Sequence, residues 1–169
     1  MSFCGYNEGV AIFISALTGR IDVRSQKGFP MQTIKLDAVD TELIQAAEET
    51  LRRNYHPVKH SVGCAVRCAS GKIYTGVNIE SCGYGPCAEP IAIGAAITAG
   101  ERQIVSIVSV HKRGKEEFSV LSPCGNCRQL IIDYAPDAQV IFSLDYHVVK
   151  ATARHLLPGA YLSNWDSQY

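Results

Sequence analysis

The sequence predicts a three-layer α/β/α sandwich with a mixed β-sheet, because helical and strand-like segments alternate along most of the chain. The order indicated by hydrophobic periodicity is helix, hairpin, helix, strand, helix, strand. Two apolar runs, 104–110 and 138–142, are continuous rather than alternating, which is typical of strands covered on both faces. A chain of 169 residues with 47% hydrophobic residues can bury one core, so we expect one folded domain.

The first part of the chain lacks these signals. Residues 1–38 show no clear periodicity and carry scattered glycines. We therefore predict a poorly ordered N-terminal extension outside the core over residues 1–38, followed by a domain that spans residues 39–169.

The first convincing elements are a helix and a hairpin. Asp40 is expected to cap a helix over 41–53, since an apolar stripe recurs at helical spacing within it. Two β-rich runs, 62–68 and 72–79, follow and are joined by the small-residue turn Ala69-Ser70-Gly71, which predicts a hairpin.

The later elements are marked by proline and glycine. Pro86 and Gly100 are placed to begin and end a helix over 87–99. Residues 111–117 indicate a charged loop, and Pro123 is placed to begin a short helix that continues to about residue 133. The tail predicts a last helix over 148–157, stopped by Pro158.

Composition and charge exclude several classes of protein. The formal net charge is zero, which argues against a partner bound through a broad basic field, so we expect no nucleic acid partner. No apolar stretch reaches the length of a membrane span, and the longest run near the N-terminus, residues 10–17, has no basic residue before it. We expect a cytoplasmic protein without a membrane partner.

Seven cysteines are an odd number for a disulfide framework, and a chain of this length does not need one. Cys64 and Cys68 lie four residues apart in a predicted strand and so face the same side of it, which favours buried free thiols. The sequence assigns no role to Cys4 or Cys82. Metal binding is the better use for the remaining three.

Two motifs carry those three cysteines, Cys87-Ala88-Glu89 and Pro123-Cys124-Gly125-Asn126-Cys127. They supply three thiolates and one carboxylate, which suits a catalytic zinc site with an open fourth position and a nearby proton shuttle. Each cysteine lies near the start of a predicted helix, where the positive end of the helix dipole favours thiolate.

Two alternatives remain for the C-x-x-C motif alone, a redox pair or half of a structural zinc site. A structural site needs a fourth ligand, and the candidates Cys82, His60 and His111 have no matching spacing. A redox pair leaves Cys87 and Glu89 unexplained. The two motifs together therefore favour a zinc hydrolase.

Cys-Ala-Glu followed by Ser-Pro-Cys-Gly-x-Cys-Arg-Gln resembles the cytidine deaminase superfamily, in particular the small branch with three cysteine ligands that includes cytidine deaminases and blasticidin S deaminase. The resemblance covers roughly residues 43–165. It implies a cytidine deaminase-like fold, one Zn²⁺ per subunit held by Cys87, Cys124 and Cys127, and a homotetramer. It also implies deamination of a free cytosine nucleoside, with roles in pyrimidine salvage or in antibiotic resistance.

The same resemblance implies roles for residues around the metal. Glu89 would move a proton from the attacking water to the ring nitrogen N3 and then help protonate the departing amine. The backbone N–H of Ala88 would hold the pyrimidine carbonyl, and the backbone at Ser122 would face the leaving amino group.

The sugar end of the site is implied in the same way. Asn78 and Glu80 match the Asn-x-Glu that grips the ribose hydroxyls, although a polar strand end would give the same pattern. His60 falls where cytidine deaminases present an aromatic residue against the base, so it either stacks on the base or simply begins the hairpin.

Some positions depart from the cytidine type. Pro90 stands where an arginine usually follows the catalytic glutamate, and Arg128 is expected to compensate for its charge. The loop over 78–87 has the length seen in blasticidin S deaminase, and the tail aromatics Tyr161 and Trp165 resemble that enzyme too. A cytosine nucleoside antibiotic such as blasticidin S is therefore the alternative substrate. An inactive zinc-stabilised nucleoside-binding protein is the alternative of another class.

Overall fold

The computed structural model describes residues 12–14, 20–23, 31–112 and 117–161. Within these residues nine strands form one sheet, with four helices packed on it. The strands are β1 Ile12–Ile14, β2 Arg20–Val23, β3 Met31–Ile34, β4 Val62–Cys68, β5 Ile73–Val77, β6 Ile104–Lys112, β7 Phe118–Leu121, β8 Gln139–Leu144 and β9 His147–Thr152. The helices are α1 Ala38–Asn54, α2 Ala88–Thr98, α3 Gly125–Tyr134 and α4 Ala153–Leu156.

The sheet is mixed and covered on both faces. Its strand order is β1-β2-β3-β9-β8-β6-β4-β5, and β7 pairs with the far end of β6. β6 and β8 run parallel, whereas the other described pairs are antiparallel. Helix α1 packs on one face, and α2, α3 and α4 contribute to the core on the other. This confirms the predicted three-layer α/β/α sandwich.

Helix α1 begins three residues earlier than expected. Its N-cap is Asp37, whose carboxylate accepts from the backbone N–H groups of Val39 and Asp40 at 2.9 and 3.1 Å. Asp40 is the other half of a capping box, since its carboxylate accepts from the backbone N–H of Asp37 at 2.9 Å. The prediction that Asp40 is the cap was therefore wrong, because this side chain lies inside the first turn.

Two glycines allow the helices to approach the hairpin closely. A Cβ at Gly63 would lie 2.7 Å from the carbonyl oxygen of Ala47 in α1, and one at Gly76 would lie 2.7 Å from the backbone nitrogen of Ala92 in α2. Each strand of the hairpin thus supports a different helix through a position that has no room for a side chain. Gly76 sets the depth of α2, the helix that follows Cys87.

The predicted helix over 148–157 was wrong. Residues 147–152 form β9, which pairs antiparallel with β8 through a tight turn at Asp145 and Tyr146, and only the four-residue α4 follows. Both turn residues have positive φ, 46° and 66°, as a two-residue hairpin turn with matching twist requires. The sequence marked this turn poorly, because it contains no glycine.

Two further differences lie near residue 111. β6 continues to Lys112, so the first two residues of the predicted charged loop belong to a strand. Residues 118–121, for which the sequence predicted no element, form β7 and pair with β6.

Three strands precede residue 38. β1, β2 and β3 pair in sequence, and β3 joins the sheet where Ile34 pairs with Lys150. The described parts of the N-terminal extension thus continue the sheet beyond β9, where the sequence predicted no element. The division of the chain into an extension over 1–38 and a domain over 39–169 stays a prediction. Cys4 and Trp165 lie outside the described residues.

In the part of the chain described here, no helix combines the length and the apolar character needed to cross a lipid bilayer.

Candidate active site and metal centre

The first motif lies at the start of α2. Cys87 is the N-cap residue and has an extended backbone, with φ −61° and ψ 169°, and Ala88 and Glu89 form the first buried turn. The first N–H groups of a helix have no acceptor within the helix. Those of α2 therefore remain available for a ligand next to Cys87. The helix therefore presents a thiol, a carboxylate and free backbone donors at one end.

The second motif lies at the start of α3 and is built in the same way. Cys124 is the N-cap residue, with φ −67° and ψ 170°, and its sulfur accepts a hydrogen bond from the backbone N–H of Cys127 at 3.5 Å. Cys127 is fully buried, one turn further along. The two helix starts converge, so three cysteines meet where two positive helix ends point.

The three sulfurs are spaced as zinc requires. The Sγ atoms of Cys87 and Cys124 lie 3.9 Å apart, and the Sγ atoms of all three cysteines lie within 4.8 Å of one another. Tetrahedral zinc with Zn–S bonds of about 2.3 Å separates its sulfurs by about 3.8 Å. The described residues offer no fourth protein ligand in this group. The cysteines therefore fit a zinc ion with one coordination position left for water, as in a catalytic site.

The protein environment shifts the pKa values of these three thiols in different directions. Burial and then the negative charge of Glu89 raise the pKa of Cys127 well above its ordinary value. Burial also raises the pKa of Cys87. Burial opposes ionisation of Cys124 too, but hydrogen bonds, first from the backbone of Cys127, lower its pKa below the ordinary value. A bound cation stabilises all three thiolates and reverses the first two effects.

Glu89 is the acidic side chain of this cluster. It is only 6% exposed and lies in the first turn of α2. Its charge raises the pKa of three neighbouring thiols, those of Cys127, Cys87 and the fully buried Cys64, in each case after burial as the largest cause. No cation pairs with Glu89 in the part of the structure that is described. Cys64 and Cys68 are buried and free, as the sequence predicted.

Asn78 links the ends of β4 and β5. Its side-chain oxygen accepts from the backbone N–H groups of Ser61 and Val62, both at 2.8 Å, and its side-chain nitrogen donates to Oε1 of Glu80 at 3.1 Å. At 6% exposure, Asn78 is almost entirely enclosed. These bonds leave one amide N–H for a ligand, so the side chain can donate to a substrate hydroxyl but has little capacity to accept.

Glu80 lies beside the start of α2. The backbone N–H of Ile79 donates to the carbonyl of Pro86 at 3.0 Å, which folds the intervening loop back on itself. A Cβ at Gly85 would lie 3.6 Å from Oε2 of Glu80. The structure thus brings the exposed Glu80 carboxylate to a loop that ends one residue after Pro86, at Cys87 of the cysteine cluster.

His60 joins the same group. Its Nδ1 lies 2.8 Å from the backbone oxygen of Asn78. The neighbouring His56 pairs with it through backbone hydrogen bonds in both directions at 3.0 Å. His56 has no predicted role in the site, and the local turn signal is Pro57, which follows it.

Ser122 and Ala88 are placed differently from each other. Ala88 is fully buried beside Cys87, whereas Ser122 is exposed and its hydroxyl donates to the carbonyl of Ser143 in β8. A surface groove of about 400 Å³ next to β7 is lined by Ser122, Ser143 and Tyr146 among others, and it contains none of the three cysteines. Ser122 is connected to the cysteine cluster through the backbone of Pro123 and Cys124, whereas its side chain contacts Ser143.

Arg128 is held by carbonyls. Its guanidinium donates to the backbone oxygens of Pro123 at 2.9 Å and Leu156 at 3.0 Å. The arginine expected to offset thiolate charge therefore ties the metal loop to α4. Its positive charge therefore lies next to Pro123, just before the start of α3.

Comparison with known proteins identifies the family. A family model that describes the cytidine and deoxycytidylate deaminase zinc-binding region matches residues 37–144, which include both cysteine motifs. The matched segment begins at the cap of α1 and ends with β8, so it spans the core of the sandwich.

Curated relatives and solved structures agree. The chain is 39% identical over 140 residues to a blasticidin-S deaminase from Bacillus cereus, covering 79% of this chain and 100% of that protein. It is 34% identical over 121 residues to a probable cytidine deaminase from Dictyostelium discoideum, covering 70% and 80%. A crystal structure of cytidine deaminase from Burkholderia pseudomallei superposes with a TM-score of 0.60 at 32% identity, covering 72% of this chain and 98% of that one. The chain therefore belongs to the zinc-binding family of cytidine and deoxycytidylate deaminases and is a deaminase enzyme with zinc as its cofactor.

Proposed function

We propose that the protein deaminates a free cytosine nucleoside, cytidine or deoxycytidine, to the corresponding uracil nucleoside and ammonia. One observation carries this proposal: the buried carboxylate of Glu89 lies beside three cysteine sulfurs that have zinc spacing and leave one coordination position open. Relatives that are named cytidine deaminase support the substrate class.

Zinc bound to Cys87, Cys124 and Cys127 would lower the pKa of water and so supply a nucleophile at neutral pH. Glu89 takes one proton from the attacking water and delivers it to N3 of the cytosine ring, while the water oxygen adds to C4. The same carboxylate carries the second proton to the exocyclic amine. The C4–N bond then breaks, ammonia leaves, and a uracil ring remains.

Other residues orient the substrate. The backbone N–H of Ala88, at the positive end of α2, donates to the pyrimidine carbonyl, and the backbone at Ser122 faces the leaving amine. Glu80 accepts from a sugar hydroxyl, and Asn78 donates its remaining amide N–H. Because Asn78 also binds Glu80 directly, it both contacts the substrate and positions the carboxylate.

A cytosine nucleoside antibiotic is the second candidate substrate. The match to the blasticidin-S deaminase covers that relative from end to end at 39% identity. The loop from Asn78 to Cys87 also has the length and the Gly-Pro-Cys-Ala-Glu ending of that type. Glu80 favours a ribose, so we place cytidine first.

The assembly and the cellular setting belong to the same proposal. A homotetramer is supported by α2, whose residues are apolar or small apart from Glu89 and Thr98. Its outward residues Gly94 and Thr98 are exposed in the single chain, and space next to Gly94 is open. A cytoplasmic location suits a site that needs three reduced cysteines. Pyrimidine salvage and the lack of a nucleic acid partner stay predictions.

The deciding experiment measures ammonia release by the purified zinc-loaded protein from cytidine and from blasticidin S, with Glu89→Ala as the matched control. Release from cytidine that disappears in the variant while zinc content is retained supports the nucleoside deaminase. Release from blasticidin S alone would replace cytidine by the antibiotic. If neither substrate releases ammonia, the proposal fails and a nucleoside-binding protein becomes the better reading.

A further inference from the structure

Two histidines in one short turn use their Nδ1 atoms in opposite ways, one as a hydrogen-bond acceptor and the other as a donor. The turn runs from His56 to His60 and is closed by two backbone hydrogen bonds between these residues. Their rings approach edge to face, with centroids 6.5 Å apart. The partners of each ring decide which of its nitrogens carries a proton.

His56 uses its Nδ1 as an acceptor. The backbone N–H groups of Val58 and Lys59 point at this nitrogen, at 3.2 and 3.1 Å. A backbone N–H can only donate, so Nδ1 of His56 must present its lone pair. The ring proton is therefore on Nε2, and the ring fixes the shape of the turn.

His60 uses its Nδ1 in the opposite way. This nitrogen lies 2.8 Å from the backbone oxygen of Asn78, and a carbonyl can only accept. Nδ1 of His60 must therefore carry the proton. In the neutral ring, Nε2 is then a bare acceptor, and the described residues make no hydrogen bond to it.

The ring of His60 is connected through Asn78 and Glu80 to the loop that precedes Cys87. Asn78 binds His60 through its carbonyl and Glu80 through its side-chain amide. Glu80 in turn lies against Gly85, two residues before Cys87. His60 and Glu80 are thus two hydrogen-bond acceptors held by one residue, Asn78.

We infer that His60 recognises the sugar of the substrate by accepting a hydrogen bond at Nε2, so that with Glu80 it forms an edge of two acceptors that selects sugars bearing hydrogen-bond donors. This inference rests on the proposed function, since it names which cytosine nucleosides the site takes. Hydroxyl and ammonium groups on the sugar are the donors that fit. Sugars without a donor at the 2′ and 3′ positions, such as 2′,3′-dideoxyribose, do not.

A stacking role for His60 makes a different demand. An aromatic ring that only stacks on a base needs its face and no particular tautomer, so phenylalanine would replace it without loss. An acceptor role requires the lone pair on Nε2 and depends on what the sugar donates. The two roles therefore separate when the ring and the sugar are changed together.

The first test determines the tautomers directly. Long-range ¹H–¹⁵N correlation spectra of the zinc-loaded protein, labelled at histidine, should place the proton on Nδ1 of His60 and on Nε2 of His56. A proton on Nε2 of neutral His60 would overturn the inference. This result does not depend on any substrate or on activity.

The second test compares His60→Phe with the wild-type protein on cytidine and 2′,3′-dideoxycytidine. Loss of one neutral hydrogen bond should lower kcat/KM for cytidine about tenfold, mainly through KM, while the value for dideoxycytidine changes less than about threefold. His147→Phe, an exposed histidine at the start of β9, serves as the matched control and should change neither value. Near-ultraviolet circular dichroism establishes that both variants are folded.

A third substrate identifies the donor. Restored sensitivity to His60→Phe with 3′-amino-2′,3′-dideoxycytidine would support the acceptor role, because an ammonium donates as a hydroxyl does. Sensitivity that stays absent with this substrate would overturn it. An equal loss on all substrates would overturn it in favour of stacking or packing. If the wild-type protein releases ammonia from none of these nucleosides, the proposed function fails, and this inference fails with it whatever the tautomers are.

Discussion

Helices α1 and α2 begin in opposite ways, although each offers the same positive end of a helix dipole. At α1, two carboxylates cap the free N–H groups, and Lys150 neutralises both, with Nζ 2.5 Å from Asp40 and 3.0 Å from Asp37. At α2 the cap is Cys87, which makes no side-chain cap bond, and the buried Glu89 has no cationic partner among the described residues. One helix end is satisfied by the protein itself, and the other keeps its donors and its charge for ligands.

The difference indicates what each end contributes. Completed hydrogen bonds and a neutralised charge stabilise the fold, whereas an uncompensated carboxylate beside thiols is a poor arrangement for stability and a useful one for proton transfer. Substitutions at the two ends should therefore separate stability from activity.

The largest effect should follow from neutralising Glu89. Glu89→Gln keeps the shape but cannot carry a proton, so kcat/KM should fall about a thousandfold, within the range of general acid–base catalysis. The melting temperature should not fall, because a buried charge has been removed. Ammonia release, zinc content and calorimetry test this. A variant that keeps a tenth of the activity would contradict the role of Glu89.

Breaking the pair at the other helix should do the reverse. Lys150 is 7% exposed, so Lys150→Met leaves the buried Asp40 carboxylate without its partner. Such a loss costs about 3–5 kcal/mol of unfolding free energy. Urea unfolding measures it, while kcat/KM per folded molecule should stay unchanged. The double variant Asp40→Asn/Lys150→Met should recover much of the stability, and a further loss would show that the charge is not the cause.

The two glycines offer a matched pair on the two faces of the hairpin. Gly63→Ala and Gly76→Ala should each lower stability by about 1–3 kcal/mol, the usual effect of overpacking. Only Gly76→Ala should also lower kcat/KM, because a Cβ there meets the backbone of Ala92 and displaces the helix that carries Glu89. Equal kinetic losses in the two variants would mean that the faces are coupled.

The smallest effect concerns pH. A hydrogen bond from Lys150 is the main cause that lowers the pKa of Asp37 below its ordinary value of 3.8. A lowered pKa in the folded state means that the contribution to stability is complete above pH 3.8 and is lost as the pH falls through the lowered value. The difference in melting temperature between wild type and Asp37→Asn should therefore narrow in acid. A difference that stays constant down to pH 2 would assign the effect of Asp37 to its cap bonds alone.

The clustering of the three cysteines could be predicted from sequence because its determinants are local. Cys124 and Cys127 lie on one turn, and Cys87 and Glu89 lie at the start of another helix, so spacing and helix signals suffice. The sandwich could be predicted for a similar reason, since its central strands are continuous apolar runs. Local patterns cannot predict which contacts a side chain makes when its partners are distant in the sequence.

Three residues illustrate that limit. Lys150 is buried although lysine normally favours the surface, because two carboxylates more than a hundred residues away neutralise it. It lies in the segment that was predicted as a helix, and its pairing with β8 depends on a turn at Asp145 and Tyr146 that carries no glycine signal. Each of these outcomes depends on tertiary contacts rather than on propensity.

Arg128 joins two parts of the chain that an engineer would otherwise treat as separate. It bridges the carbonyls of Pro123 and Leu156, and the neighbouring Gln129 donates to the carbonyl of Tyr161 at 2.7 Å. A reporter or affinity peptide attached beyond Tyr161 leaves all of these acceptors in place. Shortening the chain to before Leu156 would remove two of them and loosen the segment that leads into Cys124. The stretch from Leu156 to Tyr161 is therefore a poor place to trim the chain.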